Sequence, residues 1–300
     1  MRIATIPLQR STADAIRRSQ EALAETQARL STGKKAPDLA ALGNDAARIF
    51  SSRSMLARED AHAAVATRLG TTLSLYDAHI GALDEQGTDL REKLLTAIGT
   101  REGAGLTEAI EAAFESVRSA LNADEGGLPL FGGGRDGAPF LPEALSDLIG
   151  LPPEDAFANG QARASARVAD RQDMAYGVLA EELGTGLTKA FALLAEAVPI
   201  GARVTDAQAA KLTEAKDALD AALTDVRGIN AANGRRMAAA ESLAVRAVER
   251  ALVLRDVIGR TEDADLAEVA LDLARHKTML EASYSVFGQL NSLSLVSWLR

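Results

Sequence analysis

Proline placement sets the first limit on what this chain can fold into. Pro7 and Pro37 lie near the start, and Pro129, Pro139, Pro142, Pro152, Pro153 and Pro199 fall in one central stretch. Proline lacks a backbone donor and clashes with the preceding helical turn, so helix interiors exclude it. Two long proline-free arms remain, Asp38 to Leu128 and Ile200 to Arg300, and both permit helix. Composition agrees: 47% of residues are hydrophobic but only 4% aromatic, so the apolar content is mainly alanine, leucine and valine. Alanine and leucine are the best helix formers, whereas thick globular cores lean on aromatics. The predicted class is mainly α, with long antiparallel helical arms, coiled-coil-like paired termini and a small α+β or loop-rich insert.

The last forty residues carry the clearest pattern. Leu266, Leu273, Leu280 and Phe287 recur every seven residues, with Val269 and Leu290 on the intervening positions of the repeat, which is the a/d seam of a helix meant to lie on other helices. Thr261 is placed to cap this helix, and Glu262, Asp263 and Asp265 put negative charge at its dipole-positive start. His276 falls on a d position and reads as an interface residue. Toward the end Val286, Leu293, Leu295, Val296, Trp298 and Leu299 widen the seam, whereas chain ends are normally polar. A terminus of this kind calls for a partner.

The N-terminal segment mirrors it. Ser11 is placed to cap a helix, with Asp14 three residues on, and Ile16, Leu23 and Leu30 repeat at seven. So short and thin a stripe is marginal alone in water, and the C-terminal seam is its natural partner. Ser31-Thr32-Gly33 interrupts the helix and Pro37 delays its return.

Between the ends, residues 44–99 read as helix, weakened and open to bending at Gly70, Gly81 and Gly87. A second helix runs from Leu106 to Asn122. Residues 126–160 are turn and loop, and Ala164–Val168 with Met174–Leu179 read as a hairpin turning through Asp170–Asp173. Leu187 to Val198 is a short helix. Thr205 and Gln208 form a capping box that opens a long helix to about Arg260. Its stripe is Leu212, Leu219, Leu223, Val226 and Ile229, continued by Leu243, Val245, Val248, Leu252 and Val257. Three regions result: paired terminal helices at 1–43 and 261–300, a helical core arm at 44–125 and 200–260, and a small insert at 126–199.

The residues offer little to catalysis. With no cysteine there is no disulfide, thiolate nucleophile or thiolate metal site. His62, His79 and His276 lack neighbours at metal-site spacing. Gly132, Gly134 and Gly137 match G-x-G-x-x-G, but Pro129 before them and Pro139 after them exclude the strand and helix that a dinucleotide site needs. No catalytic residue, cofactor or metal is expected. The formal net charge of -9 argues against a nucleic-acid or anionic-membrane surface. No apolar run approaches the ~20 residues that span a bilayer. Residues 1–30 also lack the uninterrupted apolar core of a cleaved signal, since Arg10, Asp14, Arg17 and Arg18 break it up.

Two stretches resemble a known family. Arg29 followed by Leu30-Ser31-Thr32-Gly33-Lys34-Lys35 resembles the N-terminal signature of bacterial flagellins. Thr261-Glu262-Asp263-Ala264-Asp265-Leu266-Ala267-Glu268 resembles the opening of their C-terminal segment, and Gln289 to Leu299 its amphipathic end. Within that family the small insert, the loop from Leu130 to Phe140, Glu281-Ala282-Ser283-Tyr284 and Leu293-Ser294-Leu295 look most like the hook-associated proteins of the hook–filament junction. The chain departs from the flagellin pattern at Ala36 to Gly43, where an asparagine and paired aspartates are usual.

The resemblance implies a structural protein of the bacterial flagellum that joins hook to filament by helical self-assembly. Its terminal helices would form the inner layer, and the insert at 126–199 would face outward. It also implies neighbouring hook-associated protein and flagellin as partners, a cytoplasmic export chaperone, and type III export without signal cleavage to an extracellular position. The assembly positions expected are Ile16, Leu23, Leu30, Leu266, Leu273, Leu280, Phe287, Leu290, Leu293 and Trp298. A filament subunit is the alternative within the family. A cytoplasmic helical adaptor or signalling protein is the alternative outside it.

Overall fold

The computed structural model describes residues 5–296, with side chains from residue 10 to residue 289. Helix α1 spans Thr5–Thr32, α2 Asp45–Thr100 and α3 Leu106–Leu121. Strands β1 (Asp124–Glu125) and β2 (Leu128–Pro129) follow, then β3 (Ser165–Ala169) and β4 (Gln172–Ala175). Helix α4 runs Ala180–Ala197, α5 Asp206–Glu262 and α6 Leu266–Val296. Short 3-10 turns occur at Ala40–Leu42, Leu145–Leu148 and Pro153–Ala156. The fold is mainly α, with two small antiparallel sheets, β1–β2 and β3–β4. The chain divides into two units, one built from residues up to Arg58 and from Glu249 onward, the other Glu59–Val248.

In the Glu59–Val248 unit α2 and α5 run antiparallel. The Asp84 carboxylate accepts from Arg227 Nε at 2.6 Å, Asp220 from Arg91, and the Leu73 carbonyl from Asn233 Nδ2 at 2.9 Å. Leu69, Leu73, Tyr76, Ile80, Leu83, Leu90, Leu94 and Ala97 are all buried. With Gly87 they alternate at four and three residues, the period of a helix lying along another helix. Gly87 holds one of these inward positions, and a methyl there would come 2.5 Å from Leu223 Cδ2.

On α5 the buried stripe differs from the expected one beyond Val226. Val245, Val248 and Leu252 are 51%, 47% and 57% exposed, and the inward positions are Asn233, Ala240, Ala247 and Ala251. Steps of seven from Val226 lead to Asn233, Ala240 and Ala247, so heptad phase outranks side-chain bulk. Small residues hold the inward face and the larger aliphatics lie outside. Thr205 and Gln208 make the expected capping box, each backbone N–H donating to the other's side chain, at 3.1 and 3.2 Å.

One continuous apolar core joins these helices to α3, α4 and the segment between them. Phe114 packs edge-on to Phe191 at 5.7 Å between centroids, and Tyr76 to Phe131 at 5.2 Å. The Tyr76 hydroxyl donates to the Leu130 carbonyl at 2.6 Å. The glycine-rich loop makes this closeness possible. Gly133 has φ of 60° and lies against the Gly160 carbonyl, where an added Cβ would sit 2.0 Å from the oxygen. The loop is a packing device inside the unit. The β3–β4 hairpin forms with a shorter turn than expected. Its return strand begins at Gln172, because Arg171 takes a left-handed φ of 60° and reverses the chain within Asp170–Arg171. Val168 anchors the hairpin on Leu69, Leu73 and Ala240.

Two predicted helix starts move. Ser11 lies inside α1, which already runs from Thr5, so it is no cap. Thr261 lies inside α5, its hydroxyl donating to the Val257 carbonyl at 2.9 Å. The cap of α6 is Asp265, whose Oδ1 accepts from the backbone of Ala267 at 2.9 Å and of Glu268 at 3.3 Å. Aspartate outcompetes threonine here because the helix before it continues through Thr261.

Candidate assembly interface

Helices α1 and α6 lie against each other in opposite directions within the first unit. Gln20 Nε2 donates to the Tyr284 hydroxyl at 2.6 Å, and Lys34 pairs with Asp263 at the other end. The N- and C-terminal segments of the chain are thus brought side by side.

The seam positions differ in burial. Ile16 and Leu23 on α1, and Leu273, Leu280 and Phe287 on α6, are half-buried, as are Ser19, His276 and Ser283 between them. Val269 is 7% exposed and Thr26 8%. Leu30 and Leu266, near the corner between the helices, are 39% and 52% exposed. Leu290 and Leu293 fall within α6, but their side chains lie outside the described residues, as does Trp298 altogether. Half-burial of a large aliphatic yields about 1 kcal/mol, roughly half of what full burial gives. A two-helix seam therefore leaves part of its apolar surface in water.

Other large side chains on this unit stay open. Phe50 of α2 is 72% exposed, Val253 of α5 is 63%, and Leu271 and Met279 of α6 are 62% and 61%. The 72% at Phe50 stands apart, because Phe114, Phe131, Phe140 and Phe191 of the other unit are all buried. Large apolar side chains left in water this way are available to a further surface that would bury them.

A polar clasp closes the corner where α1, α5 and α6 meet. Gly33, at φ 67°, ends α1 with its N–H on the Arg29 carbonyl at 2.9 Å. Its own carbonyl accepts from Ala264 at 2.8 Å, and Lys35 N–H reaches the Glu262 carbonyl at 2.8 Å. Glu262 is 5% exposed, and its Oε2 accepts from Arg53 at 2.8 Å with Lys34 at 3.5 Å. Lys34 also meets Asp263 at 2.6 Å, and that hydrogen bond raises the lysine pKa against the desolvation that would lower it. Sequence spacing does not reveal this clasp, since Arg53 and Glu262 are 209 residues apart. The signal available is the run of glycine, lysine and lysine after α1.

Among the described residues no group of three or more His, Cys, Asp or Glu is placed to hold a metal ion. Among the same residues no helix is long and apolar enough to cross a membrane.

No family model matches the sequence, and no curated protein does. Solved structures do match in fold. A protein described as flagellar hook-associated, from Vibrio parahaemolyticus, aligns at TM-score 0.61 with 19% identity over 73% of this chain and 97% of that one. FlgL of Bacillus cereus aligns at TM-score 0.55 with 15% identity over 69% of this chain and 96% of its own. The chain shares the fold of flagellar hook-associated proteins.

Proposed function

We propose that this chain is a structural, non-enzymatic subunit of the bacterial flagellum, the hook-associated protein that joins hook to filament. The observation that carries this reading is the antiparallel α1–α6 pair, whose half-buried seam and exposed neighbours Phe50, Val253, Leu271 and Met279 leave apolar surface for other subunits. The shared fold and the terminal signatures at residues 29–35 and 261–268 support it.

In this reading the copies self-associate into a helical layer through Ile16, Leu23, Leu30, Leu266, Leu273, Leu280, Phe287, Leu290, Leu293 and Trp298. The layer contacts a neighbouring hook-associated protein on one side and flagellin on the other. The protein leaves the cell by type III export with a cytoplasmic chaperone on its apolar terminus, and the segment 126–199 faces outward.

The test is deletion of the gene in a motile host, with electron microscopy of the hooks and an assay of the medium for flagellin. Bare hooks with flagellin lost to the medium are expected. Shortened filaments without leakage indicate a filament subunit instead, and normal filaments and motility overturn the flagellar reading.

A further inference from the structure

The charge of this chain is concentrated in one stretch. Residues 102–160 hold eleven acidic residues and two basic ones, Arg118 and Arg135. Their balance equals the formal net charge of the whole chain, -9, so the remainder is neutral overall. Such asymmetry points to an electrostatically chosen partner.

Within that stretch the charge borders an apolar groove. The groove has a volume of about 390 Å³ and lies between α3, the turn at Leu145–Leu148 and the end of α4. Phe114 and Leu145, both buried, line it with Val198, and Ile149 stands at its side 56% exposed. Glu111 and Glu115 border it from the exposed face of α3. Arg118 pairs with Glu115 at 3.3 Å, whereas Glu111 has no ion pair among the described residues. No lysine or arginine lines the groove.

The two properties together select an occupant. Burying an apolar side chain in the groove supplies affinity, and carboxylates at its border favour cations on either side of that side chain. An acidic segment is repelled by the same carboxylates. A second copy of this chain would carry the same net charge of -9, which opposes its approach as a whole. We propose that this groove docks a basic segment of another protein, presenting one bulky apolar side chain flanked by lysine or arginine.

The test uses the full-length protein and fluorescein-labelled eight-residue peptides in which leucine, isoleucine, methionine, phenylalanine or tryptophan sits among lysines and arginines. Matched controls replace the basic residues with glutamate or the apolar residue with serine. At least one basic peptide is expected to bind, more weakly as salt rises, and to shift the methyl resonances of Leu145, Ile149 and Val198. Both controls lose at least about tenfold in affinity, as do Ile149→Asp and the double variant Glu111→Lys with Glu115→Lys. These three positions are exposed, so circular dichroism and thermal melting should match the parent. Failure of all five basic peptides overturns the proposal, as does equal binding of the glutamate control. Methyl shifts confined to other sites, or self-association that occupies the groove, do so too.

Discussion

Gly186 of α4 faces Ala222 of α5 so closely that a methyl on the glycine would lie 2.9 Å from the alanine Cβ and 3.2 Å from its Cα. The second distance is to backbone, so no side-chain rotation relieves it. Gly186→Ala therefore sets a helix-propensity gain of about 1 kcal/mol against an overpacking cost of about 1–3 kcal/mol. The net expectation is destabilisation. Gly81→Ala is the control, since a methyl there meets nothing within 4 Å on the same class of helix, and it should stabilise. Urea melts of both variants give the comparison, and equal shifts would refute this packing account.

Tyr76 gives the Glu59–Val248 unit an alkaline limit. Burial, with Tyr176 adding to it, pushes the phenol up from 10.0 to about 12. The folded state thus holds this proton more tightly than the unfolded chain does. Its contribution is complete below pH 10 and disappears as pH rises through 12, with a size of about 2–3 kcal/mol. Tyr76→Phe leaves the Leu130 carbonyl without its donor, which costs about 1–2 kcal/mol at neutral pH, and the alkaline limb flattens. Tyrosinate absorbance recorded alongside circular dichroism follows both. Ionisation of all three tyrosines near pH 10 with structure retained would contradict it.

The corner clasp depends on a carboxylate that water scarcely reaches. Arg53→Ala leaves Glu262 with Lys34 at 3.5 Å as its remaining cation. Arg53 is half exposed, so screening holds the expected loss to about 1 kcal/mol. The local effect is the more telling one. Amide exchange at Lys35 and Ala264, which bond across the corner, should accelerate while exchange in the other unit does not change. Arg53→Lys should recover part of the protection, because it restores the charge without the planar fork. Unaltered exchange at both amides would show that the backbone bonds hold the corner by themselves.

Assembly and folding should separate on α6. Leu271→Glu with Met279→Glu alters two side chains that are 62% and 61% exposed, so stability should stay within about 0.5 kcal/mol. Under the proposed function the same pair should abolish complementation of a deletion strain. Leu280→Glu places a charge on the half-buried seam and should lower helix content as well. Full motility from the double variant would mean that this face of α6 contacts nothing essential.

Much of the fold was legible in the sequence because helices write their packing as local periods. Leu273, Leu280 and Phe287 announce one seam, Ile16 and Leu23 its partner, and Thr205 with Gln208 a helix start. Capping was legible where box and helix agreed, and misleading where a neighbouring helix ran on, as at Thr261. Spacing also favoured the bulky Val245, Val248 and Leu252, whereas the inward face follows the alanines. Phase with a distant partner decides that choice, and a single strand of text does not display the partner.

What the sequence determined by itself was the helical class, the two proline-free arms and the antiparallel logic of the ends, since propensity, proline exclusion and heptad spacing are properties of neighbours along the chain. Only the tertiary structure decided how the glycines are used, where Glu262 is buried, and that the segment from 126 to 199 shares one core with the long helices. Each of those depends on groups far apart in sequence whose approach is set by close packing, and no local pattern carries that distance.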